Sequence, residues 1–276
     1  MQVQDELIDL GDVRLHYRDW GGPEHAEETL LLLHGLTAHS RQWDSFADAM
    51  SEHCRVVAPD LRGHGESQWA EAYDLPTQVT DVETLVAALE LDSFTLVGQS
   101  LGGVISIRYA GAGPTGLNRL ALVDIAPSIP TSTRTQMYTD FEQVVRFDSP
   151  ESAIASELAA NPLASEPHLA HRIRNAIQRR SDGSWTWRYD PALERPQALS
   201  IRGAEEEGWA AAARIRVPTL VMRGAESEYL TPENAERLMN TIPQCQYVEF
   251  PDCGHVVPID EPDGFRDAMI GFMGYA

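Results

Sequence analysis

The segment Gly98-Gln99-Ser100-Leu101-Gly102-Gly103 carries the sharpest chemical signal in this chain. It follows the apolar run Phe94-Thr95-Leu96-Val97 and precedes a helical pattern, the setting that a G-x-S-x-G strand-to-helix turn requires. Small residues flank the serine because the turn is tight and strained, and a side chain there would clash. The turn lifts Ser100 clear of the strand. It also puts the next amide, Leu101, at a helix amino terminus, where a developing oxyanion can be held. A serine hydroxyl is a weak nucleophile and needs a base beside it; nine histidines are available.

The rest of the chain must bring that base to the serine. Alternation around Leu15, Tyr17 and Trp20 reads as an antiparallel strand pair with a turn at Gly11-Asp12. Thr29–Leu33 is a continuous apolar run, the mark of a strand buried on both faces. Trp43, Phe46 and Met50 recur at helical spacing, Val56-Val57-Ala58 is a short strand, and Val79, Val82, Leu85, Val86 and Leu89 give an amphipathic helix. Leu120–Val123 is the next strand. Strands and helices alternating in this way predict a mostly parallel twisted sheet with helices on both faces.

Between about Pro127 and Ala210 the alternation stops. This stretch reads as helical, without a clear strand, with helices expected at Ala153–Ala160 and His171–Arg180 and an aromatic knot at Trp185-Thr186-Trp187-Arg188-Tyr189. Strand rhythm resumes at Pro218–Met222 and Gln246–Phe250. The expected organisation is therefore an α/β core from 1–126 and 211–276, with 127–210 inserted as a helical cap.

Four segments together resemble the α/β-hydrolase superfamily, in its capped, esterase-like branch. They are Leu33-His34-Gly35-Leu36-Thr37, Asp60-Leu61-Arg62-Gly63-His64-Gly65-Glu66-Ser67, the Ser100 turn and Cys253-Gly254-His255. The resemblance covers nearly the whole chain. It implies that the amide of Leu36 joins that of Leu101 in holding an oxyanion, and that His34, Arg62 and His64 are structural. Dehalogenases and epoxide hydrolases of the superfamily use an aspartate nucleophile, and Ser100 argues against both. His255 follows the last strand, where the family carries its general base, and Gly254 permits the bend that turns the imidazole towards the serine. Cys253 and His255 lack the further ligands that a metal site needs.

Two positions compete for the acid of the triad. Glu228 follows the penultimate strand, where most of the superfamily carries its acid. Asp124 ends Leu120–Val123, a position used by some capped relatives. The acid must fix the imidazole tautomer from a buried, hydrogen-bonded place, which suits a rigid strand end; Glu228 suits the commoner topology. Both stay open on sequence alone.

The resemblance implies acyl transfer without cofactor or metal, on small to medium carboxylic esters of apolar character. Lactones, amides and carbon–carbon bonds are alternatives served by the same triad, and a non-catalytic ligand-binding protein on the same fold is a remote one. Met137, Tyr138, Phe141, Trp185, Trp187 and Tyr189 are candidates to line a substrate pocket, or to pack cap helices together.

The chain has 276 residues, with 21 Lys+Arg against 42 Asp+Glu, a formal charge of −21. A surface so negative repels phosphate backbones and anionic lipid, so nucleic-acid and membrane partners are not expected. It also disfavours anionic substrates unless cap arginines such as Arg172, Arg174, Arg179 or Arg180 reverse the field locally. Cys54, Cys245 and Cys253 are too few for a disulfide framework. No secretory leader and no apolar run of roughly 18 residues is evident. A cytoplasmic protein acting on a small molecule is expected; the oligomeric state is not legible.

Overall fold

A computed structural model describes residues 3–141, 146–195 and 204–275, with positions 138, 140, 141 and 204 described as backbone only. The expected alternation is present as an eight-stranded sheet. Its strands are β1 (Gln4–Asp9), β2 (Arg14–Gly21), β3 (Thr29–Leu33), β4 (Arg55–Pro59), β5 (Phe94–Gln99) and β6 (Leu117–Val123). After a small hairpin of β7 (Ile177–Arg179) and β8 (Trp185–Trp187), β9 (Thr219–Gly224) and β10 (Cys245–Phe250) complete the sheet. The spatial order is β1-β2-β4-β3-β5-β6-β9-β10. β1, β2 and β4 pair antiparallel, and every pair from β4 to β10 is parallel.

β3 is central and all five of its residues are buried. The period-2 pleat divides its leucines between two cores. Leu31 and Leu33 join Leu96 under α2 (Leu75–Ala88) and α3 (Leu101–Gly111), against Val82, Leu85 and Ile105. Leu30 and Leu32 join Val97 on the other face, against Trp43, Phe46, Met50 and Phe265. The continuous apolar run thus reflects helices on both faces rather than a membrane segment. Among the described residues no helix is long and apolar enough to cross a membrane.

The chain leaves β3 towards β4 on one side and returns to β5 on the other. At such a switch the connections diverge and open a crevice at the carboxyl ends of the strands. His34-Gly35 and Ser100 lie at those two ends. Asp74 caps the helix that feeds β5, accepting from Thr77 N at 3.0 Å, with Pro76 in the first turn.

Between β6 and β9 lie α4 (Thr131–Phe141), α5 (Pro150–Ala160), α6 (Glu166–Ala176), the β7–β8 hairpin and α7 (Ala204–Ala212). This stretch does contain strands, against the sequence expectation. The helix expected to run to Arg180 ends at Ala176, and Ile177–Arg179 pairs antiparallel with Trp185–Trp187. The local cause is Asp182-Gly183: Gly183 takes φ +89°, which closes the turn, and β-branched and aromatic residues flank it. α7 packs on α3, where Ala211 backbone fills the space a Cβ at Gly111 would need. Trp209, Ala211 and Ala212 belong to the same core as Ile105.

Candidate active site

Ser100 directly follows β5 with φ 51° and ψ −114°, a positive-φ backbone that an L residue adopts only under constraint. The glycines around it explain how that backbone is accommodated. A Cβ at Gly98 would strike Gly102 O and Ser106 Oγ, and one at Gly102 would strike Leu33 O. Gly102 N donates to His34 O at 3.1 Å, which ties the turn after β3 to the start of α3. Leu101 is the first residue of α3, so its amide has no carbonyl partner within the helix.

His255 reaches Ser100 from the loop after β10. Its Nε2 lies 2.9 Å from Ser100 Oγ, and its Nδ1 lies 2.7 Å from Asp124 Oδ2. Asp124 directly follows β6, has φ 52° and is fully buried. Its Oδ1 accepts from Gly224 N at 3.0 Å, and Ser227 Oγ donates a short hydrogen bond to its Oδ2. Glu228 lies elsewhere: its side chain is exposed, and its carbonyl accepts from Thr133 Oγ1 at 3.1 Å. Gly224 leaves room for the Cys253-Gly254 backbone, which a Cβ there would overlap.

Three further residues serve this arrangement: Ser227 and Tyr229, which no motif announces, and Gln99, a variable position of the serine turn. Ser227 fixes Asp124 and also accepts from Tyr229 N at 3.1 Å. Tyr229 stacks its ring on the His255 imidazole, with centroids 3.7 Å apart and planes at 14°. Gln99 donates to His255 O at 3.5 Å. The spacing Ser227-x-Tyr229 in the loop after β9 is the signal that was available, and it competed with the neighbouring acid Glu228.

The histidines expected to be structural are buried and engaged. His34 accepts from Leu61 N at 2.9 Å on Nε2, and its Nδ1 lies 2.7 Å from Gly35 O. Burial holds its pKa below the ordinary value. Burial pushes His64 down to about 3, and its Nδ1 faces Arg62 O at 2.9 Å. Arg62 is buried in a two-pronged ion pair with Asp81, both contacts at 2.5 Å. These groups weld the loop after β4 beneath the site. Burial also raises the Cys253 thiol, and among the described residues no three acidic, thiol or imidazole groups are gathered as a metal would need.

Ser100 opens on a mostly apolar cavity. Leu36, Leu101, Val104, Ile125 and Tyr229 line it, together with Ile129 and Met137 from the inserted segment. Of the other residues considered for this role, Trp185 and Trp187 pack with Phe147, Ile173 and Ile177 inside the insertion. Tyr189 packs on Tyr73 and donates to Glu194 at 2.9 Å. The side chains of Tyr138 and Phe141 lie outside the described residues.

An α/β sheet switch with a strained serine, an imidazole and a buried carboxylate in line defines a hydrolase class, and the comparisons name it. The family model for the alpha/beta hydrolase fold matches residues 28–262, and the chain belongs to that family. A 3-hydroxybutyrate-oligomer hydrolase of Cupriavidus necator is 31% identical, covering 95% of this chain and 93% of its own length. An N-formylmaleamate deformylase of Pseudomonas putida is 26% identical over 97% and 96%. The crystal structure of an E-2-(acetamidomethylene)succinate hydrolase superposes with a TM-score of 0.89 at 22% identity, covering 99% of this chain and 100% of that one. These relatives are hydrolases, and hydrolysis is the function class of the family this chain joins.

Proposed function

We propose that the protein is a serine esterase in which Ser100 is the nucleophile, His255 the base and Asp124 the acid. The observation that carries this reading is the line Asp124–His255–Ser100, with contacts of 2.7 and 2.9 Å. This reading leaves Glu228 out, because His255 Nδ1 already faces Asp124 and the Glu228 side chain is exposed. His255 Nε2 takes the proton of Ser100 as Oγ bonds to the carbonyl carbon. The amides of Leu36 and Leu101 receive the oxyanion, stabilisation typically worth about 10²–10³-fold in rate. Collapse breaks the bond to the alcohol oxygen, which leaves with the proton held by His255. Water, deprotonated by the same imidazole, then releases the acid and restores Ser100.

The apolar cavity at Ser100 supports a small or medium acyl group, and the 3-hydroxybutyrate-oligomer hydrolase among the relatives supports ester chemistry. In the same reading residues 127–210 act as a cap, since Ile129 and Met137 line the same cavity as the serine. A fluorophosphonate probe should label Ser100, and p-nitrophenyl acetate and butyrate should turn over. Absence of both label and turnover would sink the reading.

A further inference from the structure

The cavity at Ser100 is apolar over most of its wall, yet one of the residues that line it is an arginine. Arg134, on the first turns of α4, lines it together with Met137 from the next turn of the same helix. Arg172, Arg174, Arg179 and Arg180, the arginines that the sequence offered for this purpose, do not line it. Among the described residues no carboxylate lies within ion-pair distance of the Arg134 guanidinium, although the chain carries 42 acidic residues. The acid that does border the cavity, Glu205, is exposed and receives a hydrogen bond from Ser128 Oγ at 2.5 Å instead. A guanidinium is charged at every relevant pH and presents a fork that matches a carboxylate. Placed half-buried beside an apolar wall, it gains most when the ligand supplies the anion.

We propose that Arg134 selects esters that bear a carboxylate remote from the scissile bond, its guanidinium pairing with that group while the apolar wall holds the chain between. The proposal rests on the esterase reading and narrows its substrate class. It also gives the −21 surface a consequence, since the general field disfavours anions and a local cation is needed to admit them.

The test compares matched ester pairs in enzyme normalised by fluorophosphonate titration of Ser100, at fixed ionic strength. p-Nitrophenyl hemiglutarate is set against p-nitrophenyl valerate for an acyl-side carboxylate. 4-Carboxyphenyl butyrate is set against phenyl butyrate for an alcohol-side one. In the native enzyme one of the two pairs should favour the anion in kcat/KM. Arg134→Ala should lower that anionic-to-neutral ratio by about tenfold to a hundredfold, the value of a charged hydrogen bond. Arg134→Lys should keep part of the preference and Arg134→Glu should reverse it, an ordering by charge that a packing role would not produce. Ratios that stay the same in all three variants would overturn the proposal while leaving the esterase reading intact. Failure of both neutral esters, with no label on Ser100, would overturn the esterase reading itself.

Discussion

Among the described residues two histidines meet a buried aspartate through Nδ1 in nearly the same geometry, and they differ in what the other ring nitrogen meets. His255 Nδ1 lies 2.7 Å from Asp124 Oδ2, and His16 Nδ1 lies 2.8 Å from Asp60 Oδ2. Both aspartates are buried, and both take backbone amides, Asp124 from Gly224 and Asp60 from Ser40 and Glu66. The difference is at the far ring nitrogen. His255 Nε2 meets the hydroxyl of Ser100 at 2.9 Å, whereas His16 Nε2 meets a second carboxylate, Asp5, at 3.1 Å. An imidazole between two carboxylates satisfies both only by donating from both nitrogens, which favours the cation and leaves no lone pair to offer. Burial alone would lower the pKa of His16, but the bond and charge of Asp60 and then Asp5 outweigh it and raise the pKa. A buried aspartate therefore does not make a catalytic histidine; the second partner decides.

The comparison can be broken at either aspartate. Asp124→Asn should reduce kcat by about 10⁴-fold, because the amide favours the wrong tautomer. Glu228→Gln and Asp60→Asn should leave kcat per folded molecule near that of the native enzyme, measured with p-nitrophenyl butyrate. A large loss in Glu228→Gln with little in Asp124→Asn would transfer the acid to Glu228. The second pair should fail in stability instead. Asp60→Asn leaves His16 and two amides around a neutral group, and breaking a buried charge pair costs about 3–5 kcal/mol. Urea unfolding reads this directly, and an unchanged midpoint would mean that the Asp60 network is not structural.

The same contrast explains what could be read from the residues. β3 and β5 were legible because burial on both faces leaves an uninterrupted apolar run, and Ser100 because its turn tolerates so few residue types. His255 followed from chain order within the family. The acid did not, because Asp124 and Glu228 both end or follow strands, and what separates them is backbone direction. Asp124 turns at φ 52° into the interior, while Glu228 faces out two residues before the buried Leu230. Tyr229 and Gln99 serve His255 through contacts between distant segments, which no local pattern reports. The β7–β8 hairpin was missed although Asp182-Gly183 is a strong turn signal, since each strand has only three residues and the charged flanks read as helix.

The smallest expected effect is a pH dependence confined to the structural pair. Burial by itself would raise the Asp60 carboxyl, but the hydrogen bond from His16 and the neighbouring imidazoles hold it at about 2, below the ordinary 3.8. A lowered carboxyl contributes stability that is fully present above the unfolded value and is lost as pH falls from there through about 2. His16 runs the other way. Its pKa is raised above 6.5, so its contribution is complete below that value and is lost as pH rises through the folded one. The two together give a window from about pH 4 to about pH 6.5 in which the pair stabilises most. The difference in unfolding free energy between native protein and His16→Gln should be flat across that window and shrink on both sides of it. A difference that grew above pH 6.5 would mean that His16 is neutral in the fold, and the far-nitrogen distinction between the two pairs would then be lost.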